Sequence, residues 1–379
     1  MSENKHYSLT NLVIIVVLSK IVFLALVYVC WKTLPFASGY FYANFHYIPQ
    51  HGSFWSLLQT WDGQHYHFLA ENNYLPSNMS SAFYPLYPLL IYWGSWVLGG
   101  ESVAAGVIVS NISSLFGYIL LFLTVQKIHD SKIAFASTIL MLASPSAFYT
   151  NVMYSEGLFL LLVMLLFYAL THRVWSLLFL AAFLLPLSRP QGLLIAAPLG
   201  VYILITYEWR IKEAIIAKEN LALLFLILGY AYYLFYMQME TGNFASGFAA
   251  QGYYGSGFSV SNLFKPYAWF IHNFIETDLH IHGFTNSALD RGFFMFYVLM
   301  LYPIWRYTRK SLFVYALVLG MVPALSGSMM SYMRYIYIIF PLFMALVMLS
   351  KNYWYYWLVL FIPMQTIFAV RHILNHWQG

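Results

Sequence analysis

Long apolar runs separated by short polar connections fill most of the chain. Runs over residues 8–31, 103–127, 133–149, 154–171, 174–188, 191–207, 220–238, 291–306, 311–325, 335–350 and 353–371 predict about eleven membrane-spanning helices. Some, such as 174–188, are shorter than the roughly 20 residues a perpendicular helix needs, which points to broken helices or to helices extended into their flanks. The first run is too long for a signal-peptide core and has no small-residue cleavage site after it. It reads as a retained helix.

The polar connections then set an orientation. With the N-terminus on the cytoplasmic side, "QKIHDSK", "THR", "EWRIKEAIIAKEN", "WRYTRK" and "SKNY" all face inward and, with Lys5, carry most of the 18 Lys and Arg. The others, Lys20, Lys32, Arg189, Lys265, Arg291, Arg334 and Arg371, stand alone. Clusters inside and singletons elsewhere fit the positive-inside rule. The scheme holds only if "FYPLYPLLIYWGSWVLGG" is not a full span. Its two prolines and modest length fit a re-entrant or interfacial helix pair. Residues 32–102 therefore form one large outside loop. A second, 239–290, is rich in Gly and Tyr and reads as a mobile flap or lid.

Composition agrees with the pattern. The 379 residues are 61% hydrophobic and 8% charged, far below the charge of a soluble domain, so 1–379 reads as one all-α integral membrane unit. Aromatics reach 20%, more than a lipid-facing surface needs, so many Tyr and Trp must sit at interfaces or line a cavity. Cys30 is the sole cysteine, which excludes an internal disulfide framework. A net charge of +5 spread without a polybasic run argues against nucleic acid as a partner. No internal repeat is evident, which weakens a transporter built from inverted repeats.

Orientation brings four polar motifs to the outside end: "WDGQHYHFLAE", "SPSAFYTNVMYSE", "LSRPQG" and "SGSMMSYMRY". On a helix starting near Trp61, Asp62 shares a face with His65 and Tyr66, and His67 with Glu71. Asp62 is placed to be a routine N-cap, and because a cap leaves one carboxylate oxygen free it is also a candidate general base. Glu156 stands where an acid favours a helix N-terminus. Arg189 breaks the positive-inside pattern at a turn between short helices. Arg334, flanked by tyrosines, suits an interfacial snorkel, and both arginines equally suit bidentate capture of a phosphate. Lys20 lies mid-span, where an unpaired charge costs about 2.5–3.5 kcal/mol on insertion scales, so it must face the bundle interior as a structural partner or beside a polar cavity. His272, His280 and His282, with Glu276 and Asp278, match no standard zinc spacing and read better as a solvated, substrate-lining loop.

"WDGQHYHFLAENNY", "AFYPLYPLL", "SPSAFYTNVMYSEGLF", "LSRPQGLL" and "SMMSYMRYIYIIFPLF", in that order, resemble the PIG-V-like mannosyltransferases over about residues 55–345. The resemblance implies a GT-C glycosyltransferase fold whose first outside loop carries an essential acid over juxtamembrane helices. It implies a polyprenyl- or dolichyl-phosphate sugar donor, a hexose such as mannose, inversion at the anomeric carbon, a glycolipid or glycan acceptor, and no metal or cofactor. The membrane would be the plasma membrane of a prokaryote or the endoplasmic reticulum of a eukaryote, with the site on the exoplasmic side. Asp62 matches the family's acid, and Glu156, Arg189 and Arg334 its later motif positions. In that frame Asp62 acts as base with His65 or Tyr66 orienting it. Trp61, Tyr66, Glu71, Tyr84, Tyr154, Gln191 and Tyr335 join Glu156, Arg189 and Arg334 as substrate-binding candidates. The Pro-kinked stretch 83–99 would form a slot for the prenyl tail. The alternative is a transporter or flippase of lipid-linked sugars, which should carry polar residues at mid-depth in several spans.

Overall fold

The computed structural model describes residues 7–38, 46 and 52–378; Lys5 and residues 39–45 and 47–51 of the first outside loop lie outside them. Among the described residues the regular structure is helical, apart from one isolated bridge between His280 and Ser287. Helix α1 (Leu9–Thr33) leads into the segment that the charge pattern assigns as the first outside loop, which holds α2 (Phe54–Leu58), α3 (Asp62–Asn72) and α4 (Leu86–Val97). There follow α5 (Ser102–Ile128), α6 (Ser131–Ala143), α7 (Glu156–His172), α8 (Trp175–Ser188), α9 (Gln191–Leu194), α10 (Ala196–Thr206), α11 (Ile211–Ile216) and α12 (Asn220–Thr241). The segment that the charge pattern assigns as the second outside loop carries α13 (Ser246–Ala250) and α14 (Pro266–Phe270). The chain closes with α15 (Ala288–Tyr307), α16 (Lys310–Leu325), α17 (Tyr332–Tyr337), α18 (Phe340–Ser350) and α19 (Tyr356–Ile373).

Every predicted apolar run contains a helix. Four of them, α1, α5, α12 and α19, are long and apolar enough to cross a membrane. Helices α6, α7, α8, the α9–α10 pair and α16 are apolar but shorter. The chain is an integral multi-pass membrane protein. One short run has a local cause: α9 is separated from α10 at Ile195.

Helix α5 packs against α1, α4, α6 and α7. Gly157 allows the closest of these approaches, because a Cβ there would collide with the Ser110 carbonyl. That contact sits one residue from Glu156, so packing fixes where the acid stands. The expected interfacial pair at 83–99 is a single helix, α4. At 1.5 Å per residue its 12 residues span only about 18 Å, well short of a bilayer core of about 30 Å. Tyr92, Trp93, Trp96 and Val97 are exposed along it, as an interfacial helix requires.

Candidate active site

Two serines start the construction. Ser53 and Ser56 form a reciprocal capping box at the head of α2, and the chain then turns so sharply that Trp61 takes φ +55°, a left-handed value costly for a bulky residue. Tyr154 holds the turn: its hydroxyl donates to the Thr60 carbonyl and accepts from the Asp62 N–H, both at 3.1 Å. Helix α3 begins at Asp62 with Trp61 in the cap position and no side-chain cap bond. The N-cap alternative for Asp62 is therefore overturned. Its carboxylate is left for tertiary contacts.

Those contacts form a chain of four charges. Arg334 Nη1 donates to Asp62 Oδ2 at 2.7 Å, and Arg334 Nε to Glu156 Oε1 at 2.7 Å. Arg189 Nη1 lies 2.8 Å from the same Glu156 oxygen. The Arg334 guanidinium also lies over the rings of Tyr149 and Tyr154, at 4.8 and 4.9 Å. Exposure separates the roles: the side chains of Asp62 and Arg189 are 21% and 15% accessible, those of Arg334 and Glu156 8% and 3%. Arg334, expected to grip a phosphate or to snorkel, instead spends its fork on two carboxylates and serves as their clamp. Its segment is pinned on both sides, since Asp290 Oδ1 accepts the Met333 N–H at 3.0 Å and Ser146 Oγ donates to the Met333 carbonyl at 2.8 Å.

Asp62 and Arg189 open onto a polar chamber of about 120 Å³ that Tyr66, Tyr84, Gln191, Gln251, Tyr254 and Tyr335 also line. An apolar cavity of about 240 Å³ adjoins it, between α9, α16 and the second outside loop, with Leu193, Leu194, Phe248, Phe258, Val322 and Pro323 on its walls. Tyr84, Pro190, Gln191, Gln251, Met330 and Tyr335 belong to both spaces. Gln191 stands at this waist with its buried Oε1 unpartnered among the described residues. The apolar space is not built from residues 83–99, as expected for a tail slot; of that stretch it uses Tyr84, which stacks on Tyr233 at 4.2 Å. The second outside loop does reach the site, through Gln251 and Tyr254.

The other candidates divide. Tyr66 lines the chamber with its hydroxyl bonded to Ser155 Oγ at 2.7 Å. His65 is engaged elsewhere: Nδ1 pairs with Ser80 Oγ at 2.8 Å, Nε2 faces the Tyr254 hydroxyl at 3.4 Å, and the ring stacks on Phe83. Burial, helped by His46, pushes its pKa down to about 3. Arg334 is the residue that bonds the Asp62 carboxylate, at 2.7 Å. Glu71 bonds His67 at 2.8 Å as the helical spacing required, but at the surface and away from the residues lining the chamber. Trp61 and Tyr154 shape the turn beneath Asp62. Lys20 does not line the chamber and donates to Ser114, Asn111 and Asn151 at 2.6, 3.2 and 3.1 Å. Among the described residues, His272, His280 and His282 gather into no metal-binding group.

Sequence reasoning missed Asp290, Tyr254, Gln251 and the C-terminal segment. His372 packs its ring against Tyr149 and Tyr154, at 5.1 and 5.3 Å, and accepts from Thr60 Oγ1 through its carbonyl. Asp290 carried a signal, an acid bordering an apolar run; the others carried none.

No protein-family model and no curated protein matches the chain, so the likeness to PIG-V-like mannosyltransferases stands on the motif series. Solved structures of the Archaeoglobus fulgidus oligosaccharyltransferase do match. Its apo form aligns with TM-score 0.47 and 12% identity over 100% of this chain and 57% of that one. Its complex with an inhibitory peptide and a dolichol-phosphate gives 0.46 and 12%, over 100% and 57%. The complex with zinc and sulfate gives 0.44 and 13%, over 95% and 53%. This chain spans little more than half the length of the chains it matches.

Proposed function

We propose that the protein is an inverting glycosyltransferase of the GT-C kind, moving a hexose, mannose on the motif resemblance, from a polyprenyl- or dolichyl-phosphate donor to a hydroxyl of a glycolipid or glycan. The observation that supports this most is the pair of adjoining spaces. A polar chamber with one partly accessible carboxylate and one partly accessible guanidinium opens into an apolar cavity, which matches a donor with a sugar-phosphate head and a hydrocarbon tail.

In this reaction the acceptor oxygen bonds to the anomeric carbon while the bond from that carbon to the phosphate oxygen breaks, its electron pair leaving on the phosphate. Asp62 takes the acceptor's hydroxyl proton as the new bond forms. Arg189 meets the charge that develops on the departing phosphate. Arg334 fixes the Asp62 carboxylate in place, and Glu156 balances both guanidiniums. A phosphate monoester leaves without protonation, so no second acid is needed, unlike glycosidase chemistry. Lys20, held by three neutral oxygens away from the chamber, favours this over a permeation path.

Asp62→Asn keeps shape and removes basicity. Turnover with radiolabelled polyprenyl-phosphate mannose and a panel of glycolipid and glycan acceptors is expected to fall at least about 10³-fold with folding and donor binding preserved. Retained turnover rejects the base assignment, and no transfer by wild type to any acceptor rejects the reaction class.

A further inference from the structure

Arg371 is an isolated cation that the chamber leaves unused. It stands in the last turn of α19, and its Nε is buried with no partner among the described residues. No acid pairs with it there. The turn around His282 lies against the same helix: the His282 ring packs on Phe368 at 6.2 Å, one helical turn before Arg371, and its Nδ1 is likewise buried and unpartnered. The chain then folds back, so that the His376 N–H donates to the Arg371 carbonyl at 2.8 Å. Trp377 locks the three together, donating to the Gly283 carbonyl at 3.1 Å and packing on Phe284 at 4.5 Å and Trp61 at 4.7 Å. The cluster is thus one aromatic layer from Asp62, yet none of its three side chains lines the chamber. Burial first, and then the Arg371 charge, holds both imidazoles below their usual range. A guanidinium with an orphaned N–H beside an orphaned imidazole nitrogen is costly as it stands and is completed by an oxyanion.

We infer that Arg371 and His282 form a phosphate-binding site outside the chamber, on the end of the bundle that carries Asp62, which takes the phosphodiester of a lipid headgroup. A snorkelling arginine would account for Arg371 alone; it would leave the His282 nitrogen unexplained. The headgroup belongs either to the glycolipid acceptor or to a bilayer phospholipid.

Native mass spectrometry of the full-length protein in detergent tests the site directly, with dioctanoyl phosphatidylglycerol as probe and dioctanoylglycerol as its phosphate-free control. Wild type is expected to retain the first and not the second. Arg371→Gln should weaken retention by about tenfold or more, and His282→Gln by less. Arg371→Lys, which keeps the charge without the fork, should fall between wild type and Arg371→Gln and guards against a folding defect. Lys265→Gln, at an isolated cation of the second outside loop, should bind as wild type. Equal retention by wild type and Arg371→Gln overturns the inference. Transfer assays then separate the sources. A higher KM of Arg371→Gln for phosphate-bearing acceptors alone identifies the acceptor headgroup, and unchanged KM with lost retention identifies a bilayer lipid. The first arm reads out even if the transferase proposal fails.

Discussion

Lys20 and Arg334 are both buried cations in an apolar bundle, and the protein uses them differently. Lys20 is surrounded by neutral oxygens from α5 and from Asn151, so its charge is solvated and serves to tie α1 to α5. Arg334 lies between two carboxylates, one of which, Glu156, is joined in turn to Arg189, and this network ends at a chamber wall. A cation ringed by amides and hydroxyls is finished. A network whose terminal carboxylate and guanidinium stay accessible is prepared for a ligand.

Removing the centre of the network tests this contrast most severely. Glu156→Gln leaves two guanidiniums short of one charge in a buried place, and a loss of about 3–5 kcal/mol is expected by thermal unfolding in detergent, with activity lost as well. Next, the two arginines should separate. Arg334→Lys loses the fork that spans both acids and should cut turnover about a hundredfold with donor affinity nearly intact. Arg189→Ala should weaken donor binding by roughly tenfold or more. If both variants lose donor affinity equally, Arg334 is a phosphate ligand after all. Lys20→Met should lower stability by about 1–3 kcal/mol, by leaving the Asn and Ser oxygens unmatched, while turnover stays within about threefold. A larger fall in turnover would join the two regions into one.

The smallest effect concerns acid. His65 has its pKa depressed to about 3 against about 6.5 in the unfolded chain, so the unfolded state binds a proton first as pH falls. Its contribution is whole above pH 6.5 and is lost toward pH 3, with a slope of at most about 1.4 kcal/mol per pH unit. His65→Asn, which can still bond Ser80, should flatten the fall in melting temperature between pH 6.5 and 4. An unchanged slope would show that His65 already ionises freely in the folded protein.

The helices were legible because an apolar run of span length has one good use in a bilayer, and each such run holds a helix. The site residues were legible as types: Asp62, Glu156, Arg189 and Arg334 stood out because charge is rare here, and the structure joins all four. Their division of labour was hidden. Arg189 and Arg334 looked alike in sequence, and Asp62 looked like a helix cap. Only the approach of α17 to the turn at Trp61, across 272 positions of chain, gives Asp62 its partner. Gln251 and Tyr254 had no signature, since a Gly- and Tyr-rich loop says nothing about what it covers.

The sequence by itself determined that this chain lies in a membrane as a helical bundle and that its rare charged motifs stand apart from the clustered Lys and Arg of the connections, because hydropathy and charge count act locally along the chain. The tertiary structure decided which carboxylate stays accessible, which guanidinium joins the two carboxylates, and where an apolar cavity opens beside them. Those outcomes depend on distances between residues far apart in the chain, and no local pattern encodes such distances.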